Sequence, residues 1–233
     1  MAKLSKQEEQ LHWDEIDSVV GAHKQQLKKA TSHQELKGFA AAQGWMNEVD
    51  FPKFKVVLKK IGVDYDRLRQ EFFDQEEKLN SAKLAELGPD APEVWLWSGA
   101  VELDKGVGRF AIVNVEKEVV TYGGFFDDDQ IRVKGDLITA EQSAASKAVW
   151  VAHKALEAAG YDSGRLHLST TCPDLDVEQI KADGIRLSID VHITVSDDMR
   201  AVEMAELPGY QKYTQFDLPT LVTIDGEPVD QER

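Results

Sequence analysis

Three consecutive β-strands are predicted in residues 94–126, VWLWSGAVELDKGVGRFAIVNVEKEVVTYGGFF. Valine, isoleucine and aromatic side chains, which favour strands, are concentrated in residues 94–103, 108–115 and 118–126. A long helix is predicted next, over residues 140–159, because alanines recur on one face and Gly160 marks its end. Thr139 and Gln142 form the predicted capping box of this helix.

The remainder of the C-terminal part alternates between strands and helices. Its predicted elements are a strand at 165–170, a short helix around 174–182, a strand at 186–195 and a helix at 198–207. The complete order, βββαβαβα, is typical of a mixed sheet with helices packed on it, so the fold class is α+β or α/β. In the tail, residues 220–224 and the following Asp-Gly turn predict a terminal strand or hairpin that covers a sheet edge or recruits a partner.

The N-terminal part is predicted to be a helical module. Apolar side chains at helical spacing indicate a helix within residues 5–30, a second from residue 33 after Ser32, a third after Pro52 and a fourth from 65 to about 87. Two prolines and a glycine in the segment 88–92 cannot continue a helix. The predicted domains are therefore a helical module (1–88), a linker (89–92), a mixed-sheet domain (93–207) and a C-terminal extension (208–233).

The charge of the 233-residue chain is unevenly distributed. Residues 1–88 carry 14 Lys+Arg and 15 Asp+Glu, whereas the remainder carries a net charge of −14 out of a total of −15. An acidic surface repels a phosphate backbone, so any affinity for nucleic acid is expected in the N-terminal module. The sequence contains no long apolar run, which argues against a membrane-spanning segment or a secretory signal. The single cysteine, Cys172, favours a reducing cytoplasm.

Residues 54–72, FKVVLKKIGVDYDRLRQEF, resemble a helix-turn-helix motif, with a Gly-Val turn between two predicted helices. In such motifs the beginning of the second helix enters the major groove and flanking basic residues contact phosphates. A plain helical bundle used for packing or partner contacts is the alternative, because acidic residues crowd the same helix. The candidate nucleic-acid contacts are Lys59, Lys60, Tyr65, Arg67 and Arg69.

Residues 93–207 resemble the ribonuclease H fold in the order and spacing of their elements. The family's first strand carries an Asp-Gly pair, where this chain has Ser98-Gly99, and its helix begins with an acid that Glu141 matches. Further matches are Gly106, Gly108 and Phe110 near the second strand, Ala144 and Ala145 in the helix, Ser169–Cys172 at the end of the fourth strand, and Ala201–Ala205 in the last helix.

The resemblance implies two-metal catalysis, in which clustered carboxylates hold Mg²⁺ or Mn²⁺. Of the four expected acids only Glu141 is retained, and Ser98, Thr171 and Val202 stand at the other positions. Glu141 is therefore the one candidate catalytic residue. Relocated acids could rebuild a metal site, and the candidates are Glu102, Asp104, Asp174, Asp197, Asp198 and Glu203.

Two functions are consistent with this sequence. The first is a non-catalytic interaction protein with a degenerate ribonuclease H-like domain, which needs no cofactor, binds a protein partner and leaves open an accessory role on DNA through the N-terminal module. The second is a divergent Mg²⁺- or Mn²⁺-dependent nuclease built on Glu141 and the relocated carboxylates. A cytoplasmic location without membrane association is expected for both.

Overall fold

The computed structural model describes residues 5–103 and 106–224. The chain divides into two compact units, Met1–Glu76 and Glu77–Arg233. The division falls inside one long helix, and the segment 88–92 joins the end of that helix to the first strand. The domain limits drawn from the sequence stay predictions.

The first unit is helical, as its apolar periodicity predicts. Ser5 and Glu8 form a reciprocal capping box at the first helix, and the Ser32 hydroxyl accepts the Glu35 N–H at the third. Buried side chains such as Leu36, Phe54 and Leu58 make up one core. The helices are α1 (Lys6–Ala22), α2 (Lys24–Leu27), α3 (His33–Ala42), α4 (Asp50–Lys60) and α5 (Tyr65–Ala85), of which α5 continues into the second unit.

The second unit contains a mixed sheet with helices, which confirms the mixed α and β class. Within the described residues the strand order is β3-β2-β1-β4-β5, and a short sixth strand pairs with β1. β1 is antiparallel to β2 and parallel to β4, and β4 is parallel to β5. The strands are β1 (Glu93–Leu103), β2 (Val107–Asn114), β3 (Val119–Gly124), β4 (Gly164–Thr170), β5 (Ile189–Val195) and β6 (Val222–Thr223).

Three helices accompany the sheet, namely α6 (Leu137–Ala158), α7 (Val177–Arg186) and α8 (Arg200–Ala205). The capping box predicted at Thr139 and Gln142 is wrong. Asp136 caps α6, because its side chain accepts the N–H groups of Ile138 and Thr139, which places Thr139 inside the first turn. The Gln142 side chain instead accepts the Asp176 N–H, at 2.9 Å, and so holds the beginning of α7.

The two faces of β1 are covered by different helices. The alanine-rich side of α6 packs on one face, with Ala144 and Ala148 fully buried in the same core as Leu96. On the other face Gly99 lies against α8, and a Cβ atom at Gly99 would come within 2.7 Å of the Val202 nitrogen. Only glycine permits this close approach of a helix backbone to the strand, so Gly99 positions α8.

The C-terminal segment pairs with two strands of the sheet. Gln211 forms a backbone bridge with Tyr122 of β3, and β6 pairs with Glu93 and Val94 of β1. The predicted Asp-Gly turn that follows lies outside the described residues. Among the helices in the described ranges, none combines the length and apolarity needed to cross a bilayer.

Candidate functional site

Glu141 lies in the first half of α6, where the ladder between β1 and β4 ends. The last paired residues of that ladder are Ser98 and Thr170. The backbone N–H of Ala100 therefore has no strand partner there, and Glu141 Oε1 accepts it at 3.0 Å. The Glu141 side chain is buried, with 4% of the residue exposed. Glu141 thus satisfies a main-chain donor that the separation of the two strands leaves unpaired.

Burial raises the pKa of Glu141 to about 7, and the Ala100 N–H opposes this shift only in part. Glu141 Oε2 is also buried and has no hydrogen-bond partner among the described residues. A buried carboxylate without a compensating cation is costly to ionise, so this group is substantially protonated at neutral pH.

The residues at the other three positions that the resemblance compares are only partly brought together. The Ser98 and Thr170 backbones lie opposite each other near Glu141, and both residues are 2% exposed. Thr170, rather than the Thr171 chosen from the sequence, is the residue that faces Ser98. Val202 contacts Gly99, whose Cβ direction is opposite to that of Ser98, and so it lies on the other side of the sheet.

The relocated acids do not gather around Glu141. Arg132 donates two hydrogen bonds to Glu102, at 2.5 and 2.9 Å, and this bond lowers the Glu102 pKa. Asp198 is bonded to Arg200, which likewise lowers its pKa. Asp104 lies outside the described residues, whereas Asp174, Asp197 and Glu203 are exposed. In the described ranges, no three His, Cys, Asp or Glu side chains come together to hold a metal ion.

Cys172 follows β4 and packs against the apolar core of the second unit. Burial raises the pKa of its thiol, and the nearby carboxylates of Glu141 and Asp174 add to the increase. The thiolate, which is the nucleophilic form, is therefore disfavoured at Cys172.

A further acid of the second unit, Asp129, has a side chain that is only 7% exposed. Its Oδ2 accepts hydrogen bonds from Lys147 Nζ at 2.5 Å and from the Ser143 hydroxyl at 2.8 Å. Burial opposes ionisation, but the bonds from Lys147, Arg132 N–H and Ser143 prevail and lower the Asp129 pKa to about 2. The i, i+4 spacing of Ser143 and Lys147 was the available signal, because it places both side chains on the same side of α6.

The candidate nucleic-acid contacts of the first unit lie on α4 and α5. Tyr65 is buried, with 6% of the residue exposed, and belongs to the helical core. The four basic residues have intramolecular partners: Lys59 pairs with Asp64 at 3.4 Å, Lys60 with Asp17 at 2.9 Å and Arg67 with Glu71 at 2.7 Å, and Arg69 lies over the Phe73 ring. The helix-turn-helix interpretation stays a prediction.

Comparison of the chain with protein-family models, with curated proteins and with solved structures gives no match. Its function is therefore argued from the geometry of the two units.

Proposed function

We propose that this chain is a non-catalytic interaction protein whose second unit is a degenerate ribonuclease H-like domain. The element order βββαβαβα, on which the resemblance depends, agrees with the order of strands and helices between Glu93 and Ala205. The proposal takes a protein as the partner and requires no cofactor. It includes a cytoplasmic location, which the single cysteine favours.

The observation that carries the proposal is that the Glu141 carboxyl group is buried and accepts a main-chain N–H. Mg²⁺ prefers ionised carboxylate ligands, usually more than one. Glu141 is the only acid kept at a family position, and its Oε1 is bonded to the Ala100 N–H. The burial that raises its pKa to about 7 further weakens it as a ligand. A hydrogen-bond acceptor at this position serves the fold even where the catalytic function has been lost.

The internal pairing of the other acids supports the same conclusion. Glu102 and Asp198 each bond to an arginine of the same unit, so a metal ion would have to compete with a guanidinium for either carboxylate. Such buried or half-buried pairs are costly to open because one charge is then left uncompensated.

We expect no cleavage of RNA–DNA hybrids by the full chain in the presence of Mg²⁺ or Mn²⁺. The matched control is Glu141→Gln, which keeps an oxygen acceptor for the Ala100 N–H and removes the ionisable group. Metal-dependent cleavage that is present in the wild-type chain and lost in Glu141→Gln would establish the nuclease function instead.

A protein partner is favoured over DNA because residues 89–233 carry a net charge of −14 and acidic side chains lie beside the basic candidates of α4 and α5. The full chain is therefore expected not to bind duplex DNA even at low salt, where phosphate contacts are strongest. Salt-sensitive binding that the double substitution Lys59→Glu, Lys60→Glu abolishes would instead support the DNA-binding alternative.

A further inference from the structure

An apolar pocket of about 830 Å³ lies in the second unit beside β3. β2 and β3 contribute Phe110 and Thr121, α6 contributes Trp150 and Val151, and the segment 209–213 contributes the opposite wall. The volume falls in the range of about 300–1,000 Å³ that is typical of small-molecule sites. A single side chain of a protein partner would leave most of this volume empty, so a small molecule fits the pocket better.

The wall formed by residues 209–213 is held in place by hydrogen bonds. The Gln211 backbone exchanges two bonds with Tyr122, and its side chain donates to the Val119 carbonyl at 2.6 Å. Arg109 donates to the carbonyls of Ala205, Leu207 and Gly209, which fixes the approach to this segment. The pocket is therefore preformed, and a ligand would not have to pay the entropy of ordering this wall.

Aromatic rings dominate the surface of the pocket. Trp150 and Tyr213 pack edge to face, with ring centroids 4.6 Å apart. At the mouth, Phe126 and Tyr210 are 74% and 70% exposed, although side chains of this size are usually better covered. An exposed group of aromatic rings around a cavity favours a flat ring system that can stack on them and cover them.

The charges of the pocket argue against an ionic ligand. Lys147 is at its inner side, but its ammonium group already donates to Asp129 at 2.5 Å and to Ser143 at 2.6 Å. The Asp129 carboxylate therefore already neutralises the charge of Lys147, and it would repel a ligand anion placed beside the same ammonium group. Lys212, the other charged lining residue, is exposed at the mouth, where water and salt screen its charge.

We propose that this pocket binds an uncharged, planar aromatic small molecule. The site is independent of Glu141 and goes beyond the proposed interaction function. The residues that form its mouth and its outer wall, Phe126 and Tyr210, make the contacts on which affinity depends.

Two fluorescent probes with the same ring system test this proposal on the full chain. N-phenyl-1-naphthylamine is neutral, and 8-anilinonaphthalene-1-sulfonate adds one negative charge to the same rings. We expect saturable binding of one neutral probe per chain, weaker binding of the sulfonate, and little change in the neutral probe's affinity when NaCl is raised from about 0.05 M to about 0.5 M.

Single substitutions at the mouth of the pocket test whether the probe binds there. Phe126→Ala and Tyr210→Ala are each expected to weaken binding of the neutral probe by about three- to tenfold, the range for loss of one aromatic contact. Tyr210→Phe keeps the ring and should bind like wild type. Leu79→Ala is the matched control, because Leu79 is an exposed apolar residue of α5 that does not line the pocket.

Thermal unfolding and near-ultraviolet circular dichroism show whether each variant keeps its fold. The proposal is overturned if the neutral probe does not saturate, or if both alanine variants bind it as wild type does. It is equally overturned if the sulfonate binds more tightly in a salt-dependent manner, because the pocket would then select an anion.

Discussion

Two glutamates of the second unit with little-exposed side chains, Glu102 and Glu141, have opposite electrostatic environments. Glu102 receives two hydrogen bonds from the buried Arg132, and its pKa is lowered. Glu141 receives one backbone N–H, and burial raises its pKa to about 7. Because only Glu102 has a cation beside it among the residues that the structure describes, only Glu102 keeps its charge at neutral pH at little cost. Glu141 therefore serves as a hydrogen-bond acceptor, whereas metal binding at this position would need an ionised acid.

Removal of the cation beside Glu102 should produce the largest effect. Arg132 and Glu102 have side chains that are 5% and 10% exposed, so Arg132→Met leaves a little-exposed carboxylate with no cation and only the Gly135 N–H as a donor among the described residues. We expect the free energy of unfolding to fall by about 3–5 kcal/mol, measured by denaturant unfolding at neutral pH.

The control for this variant is Lys134→Met. Lys134 lies two residues after Arg132 in the sequence and pairs with Asp127. The side chains of Lys134 and Asp127 are 64% and 95% exposed, respectively. An exposed pair of this kind contributes little, so this variant should unfold like wild type. Equal losses in the two variants would contradict the assignment of Glu102–Arg132 as a buried pair.

Removal of the charge at Glu141 should have the reverse effect and depend on pH. The pKa of Glu141 is raised in the folded protein, so the folded state binds the proton more tightly than the unfolded chain does. As the pH rises from about 4.5 to about 7, the free energy of unfolding of the wild type therefore falls relative to that of Glu141→Gln. The difference should reach about 3 kcal/mol by pH 8. Below pH 4 the two proteins should have similar stability.

Glu141→Ala separates the hydrogen bond from the charge. This variant removes the acceptor of the buried Ala100 N–H and should lose about 1–3 kcal/mol at pH 4, where Glu141 is already neutral. A Glu141→Gln protein that is less stable than wild type at pH 8 would show that the carboxylate is ionised and compensated, and the contrast with Glu102 would fail.

The order of the elements could be predicted from the sequence because each depends on local pattern. The alternating strands, the alanine face of α6 and the Ser32 cap are all encoded within a few residues. The cap of α6 was misplaced by three residues because Asp136 and Thr139 are both good capping residues. The choice between them depends on how the preceding loop packs.

The contents of the site could not be predicted, since they depend on pairings between distant residues. Thr170 rather than Thr171 faces Ser98 because of the register of β4 on β1, and a shift of one residue changes the face of every side chain. The partners of Glu102 and Asp129 lie 30 and 18 residues further along the chain. The wall of the aromatic pocket comes from the C-terminal segment, which the family resemblance does not cover.

Of the three stability effects, those at Arg132, at Glu141 and at Asp129, the effect at Asp129 is expected to be the smallest. It is confined to acid pH. Its pKa is lowered to about 2, mainly through hydrogen bonds that overcome its burial, so the folded state holds its proton less tightly than the unfolded chain does. The resulting stability is present above pH 4 and is lost as the pH falls towards 2, amounting to about 2 kcal/mol. In Asp129→Asn this loss on acidification should be absent, as measured by denaturant unfolding between pH 2 and pH 5.

An unchanged acid dependence in Asp129→Asn would mean that Lys147 does not hold this carboxylate in its ionised form. The argument that Lys147 is neutralised at the aromatic pocket would then fail, because it depends on the same Lys147–Asp129 ion pair.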